Sequence, residues 1–443
     1  MNKSEWNILE KIEPMLTGEE LFEKMKVFPE YNESIRKEGQ AVRLLALEQI
    51  HSFYLPSAMS VEIYTKMYLA MIRAMKKKES KLAVQQRNLN RKNLRACVNG
   101  MEPSFGGIIG GSDSWSILGS SGVGKTTTIE KIIELFKGDH VIEMESPYCK
   151  IIPVISVQCP FDCGIKNLLF SILQKLDSAF GTSYYDNMVR AKANINTMLI
   201  STAQNLLNHV AVLCIDEVQN LIKHRAGMQL CSMLTELLNE SSISIIFIGT
   251  PEIQPFFESV DYLARRTIGI KYERCYYDDY FRNFCRHLWK YQYVQKKTEI
   301  SEVIIHWLYE HSAGTIAYVK FLYYTAQELS ILNGREVVDL QALEEAYERM
   351  SMLHAHIQPE INLSKKSSEK RNISASRKKP QNIINVENDN ISAVKEKVVQ
   401  YVCDKNTDDT WTFTDIINEA KKLNVDMLLL LKGKVSITEI RVW

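Results

Sequence analysis

The sequence predicts an α/β protein organised around a phosphate-binding loop, and three observations carry that prediction. Gly119, Gly124, Lys125 and Thr126 fill the spacing G-x-x-x-x-G-K-[ST]. The apolar run Ala211-Val212-Leu213-Cys214-Ile215 ends in two adjacent acids, Asp216 and Glu217. Other apolar runs of strand length alternate with longer stretches whose apolar residues recur at helical spacing.

Composition sets outer limits. At 443 residues with 45% hydrophobic content the chain can build two or three cored domains, and a net charge of +1 means that any affinity for nucleic acid has to come from local charge. Residues 1–18 interleave charge with apolar side chains in place of an export signal, and no apolar run reaches membrane-spanning length. A cytoplasmic protein with no membrane partner is therefore expected. The nine cysteines are an odd number scattered through core-like segments, which points to reduced thiols. Cys159 and Cys163 lie close together, but no second Cys or His pair stands at zinc-site spacing.

Residues 1–97 read as a helical N-terminal region, with apolar residues at helical spacing in Val42, Leu45, Leu47 and Ile50 and again in Val61, Tyr64, Tyr68, Met71 and Ile72. Between 73 and 95 the chain turns basic: Arg73, Lys76, Lys77, Lys78, Lys81, Arg87, Arg91, Lys92 and Arg95 face a single acid, Glu79. An isolated run of this kind is usually a solvated helix face. Beside a nucleotide site, contact with DNA phosphates is the competing reading, with Lys76, Lys77 and Lys78 as its first candidates.

A nucleotide-binding unit is expected over residues 98–277. The short run Trp115, Ile117, Leu118 can be a buried strand, and Ile129, Ile132 and Ile133 follow at helical spacing, so the strand, loop and helix that the motif requires are present. Within the loop, Gly119, Ser120, Ser121, Gly122, Val123, Gly124, Lys125, Thr126 and Thr127 form the expected nucleotide-binding segment. The glycines let the backbone aim N–H groups at the α- and β-phosphates of ATP, and the helix N-terminus adds positive potential. Lys125 would reach the β- and γ-phosphates, and the Thr126 hydroxyl would bind Mg²⁺.

Residues 150–158 form the next strand-like run, followed by helical patterns to residue 208. The third strand then places Asp216 and Glu217 at its carboxyl end, where α/β sheets bind ligands. Asp216 is assigned to the Mg²⁺ shell and Glu217 to polarising the attacking water as general base. The pair stands about ninety residues after the loop, and that placement makes it more specific than either half. A fourth strand over residues 243–249 delivers Thr250, which can orient that water; an ST-turn opening the next helix before Pro251 is the plainer alternative. Arg265 and Arg266 precede a fifth strand over residues 270–276, and can reach the γ-phosphate held by a neighbouring subunit.

In this order and spacing, the motif at residues 119–126, the acid strand, Thr250 and Arg265-Arg266 resemble an AAA+ ATPase. Val218-Gln219-Asn220-Leu221 after the acids, Gly249-Thr250-Pro251-Glu252, and Leu263-Ala264-Arg265-Arg266 resemble the TnsC/TniB group of transposition regulators within it. The resemblance covers residues 98–350. It implies a five-stranded parallel sheet with helices on both faces, a small helical lid, and ATP-dependent assembly of a homo-oligomeric ring or filament on duplex DNA. It also implies communication between a target-selecting protein and a transposase. In such a ring, cations between the second and third strands and just after the third would line the lumen: Lys166, Arg190, Lys192, Lys223 and Arg225. Contacts there would go to phosphates, without sequence preference. The alternative is an AAA+ ATPase that remodels or regulates a protein complex without DNA, of a secretion type.

The lid is expected over residues 278–357, with helical patterns around 281–291, 302–309, 317–329 and 340–350 and turn signals at Gly314 and Asn333-Gly334. The superfamily places a nucleotide-sensing arginine at the start of the third of these helices; this chain offers Lys320, which cannot fork onto two phosphate oxygens. Residues 358–392 read as a polar, basic linker by composition. Residues 393–443 regain apolar periodicity but are too few for an independent core, so they read as a docking segment. The resemblance suggests the transposase or its associated nuclease as what docks there.

Overall fold

The computed structural model describes residues 11–99, 101, 107–136, 141–145, 148–259 and 269–350. Among the described residues six strands make one sheet: β1 (Trp115–Gly119), β2 (Ile142–Glu145), β3 (Tyr148–Gln158), β4 (Val210–Asp216), β5 (Ser244–Gly249) and β6 (Ile270–Tyr272), in the spatial order β2-β3-β4-β5-β1-β6. The five expected strands are parallel. β2 is an addition at the edge and runs antiparallel to β3, pairing Ile142 with Ile151, so the sheet is six-stranded and mixed rather than five-stranded and parallel. Ile-Glu-Met-Glu is too short and too acidic to announce itself as a strand, and an antiparallel neighbour needs only a short connection.

The helices in chain order are α1 (Gly18–Met25), α2 (Gln40–Leu47), α3 (Ala58–Lys78), α4 (Lys81–Val98), α5 (Lys125–Leu135), α6 (Ile165–Phe180), α7 (Tyr184–Arg190), α8 (Ile195–His209), α9 (Asn220–Lys223), α10 (Gly227–Ser241), α11 (Gln254–Glu258), α12 (Asp279–Leu288), α13 (Glu302–Ser312), α14 (Ile316–Leu332) and α15 (Leu340–Arg349). Every residue of β1, β4 and β5 is buried, as parallel strands covered on both faces require. Successive side chains point to opposite faces. Val212, Cys214, Ile246 and Ile248 therefore join a core with Ile63, Met67 and Met71 of α3 and Ile129 and Ile132 of α5. Leu213, Ile215, Ile245 and Phe247 join the other, with Leu168 and Ile172 of α6, Leu206 of α8 and Leu234 of α10.

The N-terminal region is helical, as its periodicity indicates, but residue 97 is no packing boundary. Its apolar residues are divided between two cores: α3 covers one face of the sheet, while Leu47, Ile50, Phe53 and Leu55 enter the lid with Phe281, Phe284 and Leu322. Arg43, 2% exposed, fastens α2 to the lid by a forked ion pair with Glu336 at 2.5 and 2.7 Å. α3 begins at a capping box in which Ser57 and Ser60 exchange hydrogen bonds.

The far end of α3 corrects one expectation about DNA. Lys78 is 2% exposed, and its ammonium donates to the carbonyls of Leu206, Leu207 and Ser241 at 2.9 to 3.1 Å. A cation there complements the carbonyl-rich C-terminal ends of α8 and α10. Lys78 is thus a core residue and is not presented to a phosphate. Lys77 donates to the Gly111 carbonyl, and Lys76 is exposed.

The four lid helices α12 to α15 fall where the helical patterns place them. All described residues lie in the compact unit Met1–Leu363. The linker over 358–392 and the docking segment over 393–443 lie outside the described residues.

Candidate nucleotide-binding site

The loop between β1 and α5 is shaped by its glycines. A Cβ at Gly119 would stand 2.2 Å from the Tyr272 carbonyl, because β6 runs directly alongside. Gly124 caps α5 with φ +103°, in the left-handed region that side chains disfavour. This geometry turns the backbone N–H groups at the start of α5 toward one point, where an anion is favoured.

Lys125 folds over its own loop, its ammonium donating to the carbonyls of Gly119 at 2.7 Å and Ser120 at 3.0 Å. Burial lowers its pKa, and the nearby charges of Asp216 and Glu217 oppose that shift. A triphosphate arriving here would meet a partly desolvated cation. The Thr126 hydroxyl donates to Asp216 Oδ2 at 2.8 Å, joining the loop to the end of β4. Hydroxyl and carboxylate oxygens are donors that Mg²⁺ favours, so Thr126 and Asp216 fit an ion carried in by nucleotide phosphates. Among the described residues no group of three or more His, Cys, Asp or Glu could hold a metal alone, so phosphate and water oxygens would complete such a shell.

Glu217 follows Asp216 with its backbone in the left-handed region, φ +59°, and its amide donates to Asp216 Oδ1 at 2.7 Å. A non-glycine residue held there costs about 1–2 kcal/mol, and strain of that size concentrates at functional sites. The turn directs Glu217 out of the strand, and its side chain is exposed while Asp216 is buried. Thr250, at the end of β5, has a buried hydroxyl with no hydrogen-bond partner. An orphaned hydroxyl at this strand end suits a water or phosphate oxygen.

Sequence reasoning did not assign Gln219 or the segment from His51 to Leu55, and the structure brings both to the site. Gln219 donates to Glu217 and accepts from the Thr250 amide. His51, Phe53, Tyr54 and Leu55, with Gly122, Gly124, Thr127 and Tyr272, line a cleft of about 200 Å³ beside Ile316, Ala317 and Lys320 of α14. The lid touches the loop directly: the Ala317 amide donates to the Gly122 carbonyl, and a Cβ at Gly122 would stand 3.1 Å from Thr315 Cγ2. No local pattern marks residues 51–55 as part of a nucleotide cleft, since their role comes from the lid that they dock into.

Lys320 lines this cleft, but its ammonium is taken up by the carbonyls of His51 at 2.8 Å and Phe53 at 2.9 Å. These bonds tie the lid to the N-terminal segment. Replacing Lys320 with methionine is expected to lower stability by about 1–3 kcal/mol, since two carbonyls lose their donor. Turnover per bound nucleotide should stay near the wild-type rate. A sensor role predicts the reverse, and thermal melts read beside phosphate release decide between them. Burial pushes Lys320 down to about 8 from an ordinary 10.5. Its contribution to stability therefore grows as pH rises through that interval, and the methionine variant should lack this growth.

Arg265 and Arg266 lie outside the described residues. Lys166, Arg190, Lys192, Lys223 and Arg225 are all exposed, the first three between β3 and β4 and the last two just after β4.

A largely parallel α/β sheet with a phosphate-loop pattern after β1 and paired acids at the end of β4 is the arrangement of the AAA+ fold. Residues 111–257 match the family model described as an AAA domain. No curated protein matches the chain. Among solved structures it is similar to the Aeropyrum pernix ORC1 protein in complex with DNA, at 14% identity and a TM-score of 0.40 over 78% of this chain and 84% of that one. It is also similar to a Walker-type ATPase of Pyrococcus abyssi (16% identity, TM-score 0.38, 65% and 76%). A third is domain III of the Thermotoga maritima replication initiation protein DnaA (17%, 0.34, 63% and 94%). None of these likenesses identifies a function. Among the described residues no helix is long and apolar enough to cross a membrane.

Proposed function

We propose that this chain is an ATP-hydrolysing, DNA-binding regulator of transposition that assembles on target DNA and links a target-selecting protein to the transposase, with hydrolysis controlling assembly. The observation that carries the ATPase part is the convergence of Lys125, Thr126, Asp216 and Glu217 on one end of the sheet. In that arrangement water attacks the γ-phosphorus, its proton passes to Glu217, and the bond from the γ-phosphorus to the bridging oxygen breaks to leave ADP and phosphate. Thr126 and Asp216 would hold Mg²⁺, which would supply neutralisation of charge on the phosphates. Arg265 and Arg266 are proposed to act on the nucleotide of a neighbouring protomer. The transposition part rests on the residues after Asp216, around Thr250 and at 263–266 that resemble the TnsC/TniB group.

For the DNA part the support lies on α4 rather than on Lys78. The helix KLAVQQRNLNRKNLRACV contains no acid. Lys81, Asn88, Arg91, Lys92 and Arg95 are exposed and fall on one side at 3.6 residues per turn, while Gln86, Asn90 and Asn93 on the other are buried. The stripe is about 21 Å long at 1.5 Å per residue, enough to follow several phosphates of a duplex. Replacing Arg91, Lys92 and Arg95 with glutamine should weaken duplex binding on every sequence and reduce the salt slope by about three, measured by fluorescence anisotropy across a salt series. Unchanged binding at all salt concentrations would remove this helix from the interface. A wild-type chain that hydrolyses ATP yet binds no DNA would favour the protein-remodelling alternative.

A further inference from the structure

Between Glu217 and Thr250 lies a side chain with no assigned role. Gln219 is 8% exposed and follows Glu217 by two residues in the tight turn after β4. That turn is pinned to β5, since the Val218 amide donates to the Ile248 carbonyl at 3.0 Å. The Gln219 amide therefore sits over Gly249, and β5 makes room for it: a Cβ on Gly249 would be 2.7 Å from Gln219 Oε1 and 2.8 Å from Val218 Cγ2.

The hydrogen bonds orient the amide without ambiguity. An ionised carboxylate only accepts, so the Gln219 NH₂ group faces Glu217 Oε2; a backbone amide only donates, so Gln219 Oε1 faces the Thr250 N–H, at 3.2 Å. The result is a directed chain from the end of β5, through one side-chain amide, to the carboxylate at the end of β4. The unpartnered Thr250 hydroxyl belongs to the residue at one end of that chain.

We propose that Gln219 is a positioning residue for the hydrolysis described above, holding the Glu217 carboxylate toward the water and coupling its orientation to the Thr250 end of β5. The inference rests on the ATPase reading and goes beyond it, because neither the phosphate loop nor the paired acids require a glutamine here. A base gains rate from being held in line with the proton it takes. A donor on one carboxylate oxygen leaves the other turned to the water. A phosphate or water engaging the Thr250 hydroxyl shifts the same strand end that Gln219 grips, so occupancy of the γ-position is communicated to Glu217.

The test uses the full chain as wild type, Gln219→Ala and Gln219→Glu, with fluorescent-nucleotide affinity, thermal melting and kcat for phosphate release from ATP and Mg²⁺ measured across pH. The alanine variant should lose about 10- to 100-fold in kcat with nucleotide affinity within about twofold of wild type. Gln219→Glu, nearly isosteric, should move the acid limb of the kcat profile to higher pH, because two adjoining carboxylates favour holding a proton between them. A packing role alone would not move that limb. The inference is overturned if Gln219→Ala turns over like wild type, or if the glutamate variant keeps the wild-type pH profile. A fall in affinity and melting temperature that accounts for all the lost rate would overturn it as well. If wild type binds nucleotide yet releases no phosphate, the ATPase reading falls and takes this inference with it.

Discussion

Replacing Lys125 with alanine is expected to weaken ATP binding by about 100- to 1000-fold, or about 3–4 kcal/mol at 1.4 kcal/mol per decade. The size follows from where the ammonium lies. It is partly buried, and its hydrogen bonds run to the Gly119 and Ser120 carbonyls, the same turn whose N–H groups would receive the phosphates. Burial that disfavours the charged lysine strengthens its attraction for a triphosphate, since the two charges meet where water is scarce. Alanine loses that attraction and leaves two loop carbonyls without their donor. Equilibrium binding of a fluorescent ATP analogue, alongside a thermal melt confirming that the variant is folded, reads the effect. Affinity within a few-fold of wild type would show that the phosphates bind elsewhere.

Glu217→Gln separates binding from chemistry. The amide matches the carboxylate in shape and can remain in the left-handed turn, so the contacts of Asp216 with Thr126 and with the 217 amide should survive. What is lost is the capacity to take a proton from water, and general-base removal typically costs about 100- to 10,000-fold in rate. Nucleotide affinity is expected to hold, and any assembly that depends on bound ATP should be prolonged.

Much of this site was legible in the sequence because its parts are local. A phosphate loop is a short pattern whose glycines answer to backbone torsion, and the acids sit at the end of a run apolar enough to be a buried strand. The structure joins the two through a hydrogen bond from Thr126 to Asp216, the two residues the sequence assigns to Mg²⁺. The lid helices were legible for the same reason, as periodicity, and the structure adds their caps: Asp278, Ser301 and Asp339 each accept from a backbone amide of the first turn that follows.

What was not legible depends on partners far along the chain. Lys78 belongs to a basic run and reads as solvated, yet its carbonyl partners are more than a hundred positions away, on α8 and α10. Lys320 stands at the start of a lid helix, and its bonds to the carbonyls of His51 and Phe53 reach a segment 267 to 269 positions away. Periodicity identified Met71 and Ile72 as helical without showing that α3 lies on the sheet, so the N-terminal region read as separate. Gln219 enters the sequence reading only as one residue of the segment after the acids, with no role of its own. Its significance appears only when β5 is laid beside the turn and Gly249 proves to be the residue that leaves room for it.

The most direct test of the central claim compares phosphate release by the wild-type chain and Glu217→Gln at saturating ATP and Mg²⁺, with nucleotide occupancy of both measured in the same samples. The account predicts full occupancy in each, steady release by the wild type, and release at least about 100-fold slower from the glutamine variant. Equal rates at equal occupancy would contradict it, because the acid at the end of β4 would then not be the group that prepares the water.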